Sequence, residues 1–255
     1  MDIASKVAIV TGGASGIGAG IARRFAAEGA RAVVVADVNL ARAQGVADEF
    51  GGTAVRCDVS REEDIQALVQ TTRERHGQVD IYISNAGILG GMGGFELEDP
   101  LWQKMWEVHG MAHVWAARAV VPEMVARGEG YFLVTASAAG LLTIVESAPY
   151  AVTKHAALAF AEWLRVAYGR RGVRVSCLCP QSVRTDMVPG DGGSASHDGI
   201  LMPEQVAAEV VAVMRDEKFL VLPHPEVIQY FRNKGADYDR WIGGMQKMYA
   251  KHTQG

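Results

Sequence analysis

Short apolar runs alternate along this chain with longer segments in which apolar residues recur every three or four positions. The run Lys6–Thr11 is β-type, and after it Ile17, Ile21 and Phe25 fall four apart, the spacing of a helix that Gly29 stops. The alternation continues, with strands expected over Arg31–Asp37, Thr53–Cys57, Val79–Ser84, Tyr131–Thr135, Val173–Cys179 and Phe219–Leu222. Between them a helix is expected over Leu40–Glu49, and Ser60-Arg61-Glu62-Glu63 reads as a capping box opening another that ends before Gly77. Asp99-Pro100 caps one long helix running to Arg127, Pro149 opens a helix ending near Gly169, and Pro203 opens one to Arg215. Near-continuously apolar strands alternating with helices predict an α/β fold, a parallel sheet covered on both faces.

Two segments stand apart from this rhythm. Residues 186–202 hold the turn-rich run Pro189–Ser196, which reads either as a surface loop or as a lid over a site. The tail, residues 225–255, is predicted helical and carries Tyr230, Phe231, Tyr238, Trp241, Met245, Met248 and Tyr249. It is too apolar for a solvated end and must pack on the domain, on a second subunit or on the substrate.

Composition narrows the class. At 255 residues, 49% hydrophobic and 21% charged, the chain suits a single globular domain over its whole length. A net charge of -4 disfavours a nucleic-acid partner. No apolar run approaches a membrane span, and Met1–Lys6 lacks the features of a signal peptide. The sparse cysteines Cys57, Cys177 and Cys179 fit a reducing cytoplasm. Cys177-x-Cys179 lies on a predicted strand with its sulfurs expected on opposite faces, unsuited to one metal; His109 and His113 are the one helical histidine pair and lack a neighbouring acid, so no metal site is expected.

The loop Gly12-Gly13-Ala14-Ser15-Gly16-Ile17-Gly18 joins the first strand to the first helix. Glycines there allow a sharp turn and close approach to a pyrophosphate, and the helix N-terminus offers unpaired N–H groups to its charge. The second strand ends in Asp37, where a dinucleotide fold places the acid that holds the adenosine ribose. A carboxylate there repels a 2′-phosphate, Val38 beside it is neutral, and no Lys or Arg lies within Gly13–Ser15, so NAD is expected over NADP.

Tyr150 and Lys154 lie four apart on one helical face, and Ser137 closes the fifth strand. An ammonium beside a phenol lowers its pKa, which suits Tyr150 to acid–base work on an alcohol or ketone. Ser137, at the carboxyl end of a strand, is placed to hold the substrate oxygen.

These motifs together resemble the short-chain dehydrogenase/reductase family. The resemblance rests on Thr11-Gly12-x-x-x-Gly16-Ile17-Gly18, Cys57-Asp58-Val59, Asn85-Ala86-Gly87, Ser137, Tyr150-x-x-x-Lys154 and Pro180 with Thr185, and extends to about residue 224. It implies a single Rossmann-type domain with a seven-stranded parallel sheet. It implies Asp58 and Val59 near the adenine, Asn85-Ala86-Gly87 along the cofactor, and Pro180 to Thr185, with Val183, at the nicotinamide end. It further implies Tyr150 as general acid/base, Lys154 on the nicotinamide ribose, Ser137 on the substrate oxygen, and a homodimer or homotetramer joined through the helices carrying Tyr150 and Val108.

Three departures limit the transfer. His109 stands where the family has the Asn of a proton relay; it either keeps the relay in altered form or crowds out the relay water. Gln181 replaces a Gly after Pro180, and Ser84 replaces a second Asn. Met92, Leu141, Leu142, Ile144, Val145, Met187 and Met202 are candidates for an apolar substrate wall, and Glu146 for a polar contact. The expected activity is hydride transfer between NAD and an apolar or cyclic secondary alcohol or its ketone. The alternatives are an NADP-dependent reductase of the same fold and a dinucleotide sensor without catalysis.

Overall fold

The computed structural model describes residues 1–187 and 193–253. Its strands are β1 (Val7–Thr11), β2 (Ala32–Asp37), β3 (Thr53–Arg56), β4 (Ile81–Ser84), β5 (Gly130–Thr135), β6 (Val173–Leu178) and β7 (Leu220–Val221). They form one seven-stranded sheet in the order β3-β2-β1-β4-β5-β6-β7, parallel throughout. The order reverses between β1 and β4, which opens a crevice at the carboxyl ends of those strands, where open α/β sheets take their ligands.

The α-helices are α1 (Gly16–Ala27), α2 (Leu40–Asp48), α3 (Glu62–His76), α4 (Asp99–Trp106), α5 (Ala112–Arg127), α6 (Ala139–Leu142), α7 (Ala148–Tyr168), α8 (Pro203–Asp216), α9 (Glu226–Ala236) and α10 (Tyr238–Thr253). Successive strand residues point to opposite faces, so the sheet serves two cores. Ile9, Val34, Tyr82, Phe132 and Val175 pack with α3, α5 and α7. Their neighbours Val10, Val35, Ile83, Leu133 and Leu178 pack with α1 and α8.

Four expectations are corrected. The helix expected from Asp99 to Arg127 is interrupted by a π-turn over Glu107–Met111 that separates α4 from α5. Its wider ring inserts one residue and turns His109 inward, where it is fully buried. Ser60 does not cap α3; its hydroxyl and amide both donate to Asp58 Oδ1, at 2.7 and 3.0 Å, and Arg61 takes the cap position. Cys177 and Cys179 point to the same face, with sulfurs 3.8 Å apart, because the pleat repeats every two residues. Both are fully buried in the core, and the neighbouring Cys179 sulfur, then burial, hold the Cys177 thiol far above its ordinary range. Met92 and Met202 are exposed and Leu141 belongs to the core, so the proposed apolar wall is only partly built as expected.

The expected loop at 186–202 falls partly outside the described residues. Within its described part, Gly193–Ser196 is a short 3-10 turn held by Glu146, whose carboxylate accepts Ser194 N at 2.9 Å and Ser194 Oγ at 2.8 Å. The tail is helical over α9 and α10 and packs on the domain: the buried Lys234 Nζ donates to Leu141 O at 2.8 Å, tying α9 to α6.

Candidate active site

The ends of β1, β4 and β5 are laced by two polar side chains. Thr11 Oγ1 donates to Ile83 O at 3.2 Å and accepts Asn85 N at 3.0 Å. Asn85 Nδ2 donates to Thr11 O at 3.0 Å, and Thr135 Oγ1 donates to Asn85 Oδ1 at 3.1 Å. Over this base lies the glycine loop. A Cβ on Gly12, whose φ is +64°, would stand 2.8 Å from Ala86 Cα, and one on Gly18 would stand 2.1 Å from Gly12 O. Only glycine lets these backbone segments meet.

A groove of about 480 Å³ runs along these strand ends. Every residue expected to bind the cofactor lines it. Gly12, Ser15, Gly16, Ile17 and Gly18 form one side, and Asp37, Val38, Asp58 and Val59 follow the ends of β2 and β3. Asn85, Ala86 and Gly87 follow β4, and Pro180, Val183 and Thr185 follow β6. Tyr150, Lys154 and Ser137 line the same groove, whereas His109 does not. Ile88, Lys104, Thr135 and Asp186 also line it, brought there by the topology and not by a motif, together with Cys57 and Gln181.

Asp37 is fixed at the β2 end by two amides: Oδ2 accepts Ala14 N at 3.2 Å and Oδ1 accepts Asn39 N at 3.0 Å. Arg42, in the first turn of α2, is engaged by Asp186 across 2.7 Å. The remaining polar edge of Asp37 faces a groove in which Lys104 is the lining cation besides Lys154.

The reactive cluster lies where Ser137 follows β5 and α7 presents Tyr150 and Lys154. Ser137 Oγ accepts Ala139 N at 3.1 Å and is 3.4 Å from Pro180 O. Lys154 is nearly fully buried; its Nζ donates to Thr135 O at 3.0 Å and lies 5.6 Å from the centre of the Tyr150 ring. Burial pushes its pKa down to about 8. The expectation that Lys154 depresses Tyr150 is corrected: burial is the larger influence and raises the phenol, while a hydrogen bond with Ser137 pulls the other way.

His109 packs edge-on to Tyr150, with ring centres 5.5 Å apart, but both of its nitrogens are engaged elsewhere. Nε2 accepts Ile88 N at 3.0 Å, which leaves the proton on Nδ1, 3.0 Å from Thr153 Oγ1. Burial first, then Lys154, hold the ring far below its ordinary pKa, so it is neutral. His113 is likewise neutral, lowered by burial to about 3, with Nδ1 2.7 Å from Ser84 Oγ. Two of the three departures from the family pattern, Ser84 and His109, therefore each take part in a histidine-based hydrogen bond. Replacing His109 with Ala is expected to cost about 2–4 kcal/mol, from a cavity and an unpaired buried amide. That corresponds to about 2–4 °C of Tm for each kcal/mol, read by thermal denaturation. Replacing it with Asn is expected to recover most of that loss and to leave the pH–rate profile in place. A displaced profile would assign the ring a proton-transfer role.

Beside the groove, and sharing Ser137 and Gln181 with it, lies a second cavity of about 540 Å³. Ala138, Leu142 and Ile144 form one wall, and Tyr230, Trp241, Met245 and Met248 of α9 and α10 form another. Leu142 and Ile144 were expected in an apolar wall, and the sequence left Tyr230, Trp241, Met245 and Met248 between the domain, a second subunit and the substrate. Among the described residues no group of three His, Cys, Asp or Glu side chains is arranged to hold a metal ion, and no helix is long and apolar enough to cross a membrane.

Comparison with known proteins agrees with this geometry. The family model for short chain dehydrogenases matches residues 6–192. A 1-deoxy-11-beta-hydroxypentalenate dehydrogenase of Streptomyces exfoliatus is 36% identical, covering 95% of this chain and 91% of that protein. A mitochondrial borneol dehydrogenase of Lavandula x intermedia is 33% identical over 86% of this chain and 87% of its own. A short chain dehydrogenase/reductase from Burkholderia phymatum, solved in complex with NAD, superposes with a TM-score of 0.85 at 28% identity, covering 94% of this chain and 96% of that one. With its seven-stranded parallel sheet and its Ser137–Tyr150–Lys154 cluster, the chain belongs to the short-chain dehydrogenase family of oxidoreductases.

Proposed function

We propose that this protein oxidises a cyclic, largely apolar secondary alcohol to its ketone, reversibly, with NAD. The observation that carries this reading is the junction at Ser137. One side chain borders both the dinucleotide-shaped groove and the apolar cavity, with Tyr150 and Lys154 beside it.

The groove fits a dinucleotide. The backbone approaches at Gly12 and Gly18 leave room for no side chain, and the buried Gln181 Oε1, where groove and cavity meet, has no partner among the described residues and suits an amide donor. Gly12 to Gly18 would hold the pyrophosphate, Asp37 the adenosine ribose, Asp58 and Val59 the adenine, and Asn85 to Gly87 the path between them. Lys154 would hold the second ribose, and Pro180 to Thr185 the nicotinamide. When bound, the nicotinamide supplies the hydride acceptor or donor. Tyr150 takes the hydroxyl proton in oxidation and returns it in reduction. Ser137 donates to the substrate oxygen, and Lys154 adds positive charge near the phenolate as it forms. His109 is a positioning residue that fixes the Ile88 backbone and α7 through Thr153.

The alcohols named for the Streptomyces and Lavandula relatives support a ring-bearing substrate, and the bound NAD of the Burkholderia structure supports the cofactor. Asp37 supports NAD as well, since its carboxylate and a 2′-phosphate repel one another, and Arg42 is already engaged by Asp186. We also place the protein in a homo-oligomer in the cytoplasm. Trp106, Val152, Trp163 and Val166, on α4 and α7, are exposed apolar side chains that suit a subunit interface.

The test is oxidation of a panel of ring alcohols, borneol among them, with NAD and with NADP. NAD is expected to be preferred by about tenfold or more, the scale of one charge repulsion. Asp37→Ser is expected to narrow that ratio. Equal use of both cofactors by the unaltered protein would count against the assignment of Asp37. Absence of any turnover, with NADH bound tightly, would favour a dinucleotide sensor.

A further inference from the structure

The cavity beside Ser137 is mostly hydrocarbon with one cation. Trp241, Met245 and Met248 recur along α10 at helical spacing and turn one face of that helix inward, opposite Ala138, Leu142 and Ile144. Of the described residues that line it, Arg240 is the only Lys or Arg. Among the described residues no carboxylate lies within ion-pair distance of its guanidinium, although ten other arginines are so bridged. The one acid in the lining is Asp237, whose Oδ1 accepts Arg240 N at 2.9 Å. That carboxylate sits at the start of α10, where the helix dipole offsets its charge.

The wall that carries Arg240 is held in place. The buried Lys234 fastens α9 to α6, Tyr230 Oη donates to Asp198 Oδ1 at 3.0 Å, and Trp241 N donates to Asp237 O at 3.1 Å. An apolar, uncharged molecule filling this cavity would strip water from an unpaired guanidinium without replacing it, which is costly. An anionic group on the same molecule would answer that charge with paired N–H donors. Arg240 belongs to α10 and Ser137 follows β5, with no hydrogen bond between them among the described residues, so the two would engage different groups of one ligand.

We propose that the substrate is an alicyclic secondary alcohol carrying a carboxylate remote from its hydroxyl, with Arg240 receiving the carboxylate. The proposal rests on the alcohol dehydrogenase reading above but fails separately from it, because its test is binding and not turnover. The cavity volume, about 540 Å³, suits a two- or three-ring skeleton.

The probes are adamantane-1-carboxylate and adamantane-1-carboxamide, one rigid skeleton with and without charge, titrated calorimetrically into the NAD-loaded full-length protein. The carboxylate is expected to bind about five- to tenfold more tightly at low salt, with the margin shrinking as salt rises. Arg240→Gln is expected to abolish the margin while leaving carboxamide affinity unchanged, and Arg240→Lys to keep part of it. Arg240 is exposed and its backbone bond to Asp237 survives either change, so both variants should fold. Equal binding of the two probes, binding of neither, or a margin that persists in Arg240→Gln would each overturn the proposal. The dehydrogenase reading would then still be decided by turnover of neutral ring alcohols.

Discussion

Tyr150→Phe is expected to reduce turnover by about a thousandfold or more while leaving NADH affinity within about twofold of the unaltered protein. The range for removing a positioned acid–base group is about 10²–10⁴. The upper part applies here because Ser137, His109 and Lys154 offer no substitute for the phenol. Ser137 does not ionise, both His109 nitrogens are bonded, and Lys154 is turned to the Thr135 carbonyl. Tyr150 is half-buried and packs edge-on to His109, a ring contact that Phe keeps. The pH dependence follows with a definite sign. Burial raises the Tyr150 pKa, so the phenolate that oxidation needs gains population as pH rises, and alcohol oxidation should accelerate into the alkaline range. Ketone reduction needs the protonated phenol and should slow over the same range. Lys154, lowered to about 8, loses its charge in that interval, so the rise in oxidation should flatten above it. Steady-state rates in both directions from pH 6 to 10 check this, and a phenylalanine variant with near-normal turnover would remove Tyr150 from the chemistry.

The second large effect is expected from Gly18→Ala. The new methyl would fall 2.1 Å from Gly12 O and 2.7 Å from Asn85 Nδ2. The first neighbour is backbone, and the second holds the ends of β1 and β5 together, so neither yields freely. The loop must move outward into the groove. Overpacking of this kind costs about 1–3 kcal/mol of stability. A displacement near 1 Å at a positioning element costs about a hundredfold in function. Fluorescence titration with NADH is expected to show about that loss of affinity, with a fall of several degrees in Tm. Unchanged affinity would mean that the loop does not cradle the pyrophosphate.

The parts of the site that were legible in the sequence are those whose physics is local. Gly12 to Gly18 announces itself because a strand, a tight turn and a helix start are adjacent in the chain. Tyr150 and Lys154 share a face because a helix repeats every 3.6 residues, and Ser137 is placed by the end of β5. The strand order follows from the connections available to parallel strands. What was hidden depends on partners distant in sequence. The π-turn at Glu107–Met111 leaves the apolar spacing of its flanks intact, so nothing marks the inserted residue. The bonds of His109 to Ile88 and Thr153 exist only once α7 has packed against that turn. The balance at Tyr150 went the other way from the Tyr-x-x-x-Lys spacing because burial has no counterpart in spacing. The tail's stripe of Trp241, Met245 and Met248 is the same whatever it covers, so its place over the cavity was one of three open readings. Cys177 and Cys179 were legible and were misread, since residues two apart on a strand share a side.

The attachment of α9 and α10 divides the labour of this protein between two stretches of chain. The residues to which the proposal gives the proton and the hydride lie before residue 188, whereas one wall of the neighbouring cavity, from Tyr230 to Met248, lies after residue 229. Selection can therefore rewrite the tail's inward face without disturbing the reaction it serves. A lineage with this fold can change its diet while keeping its chemistry, and exchanging the tail between relatives should transfer preference and not mechanism.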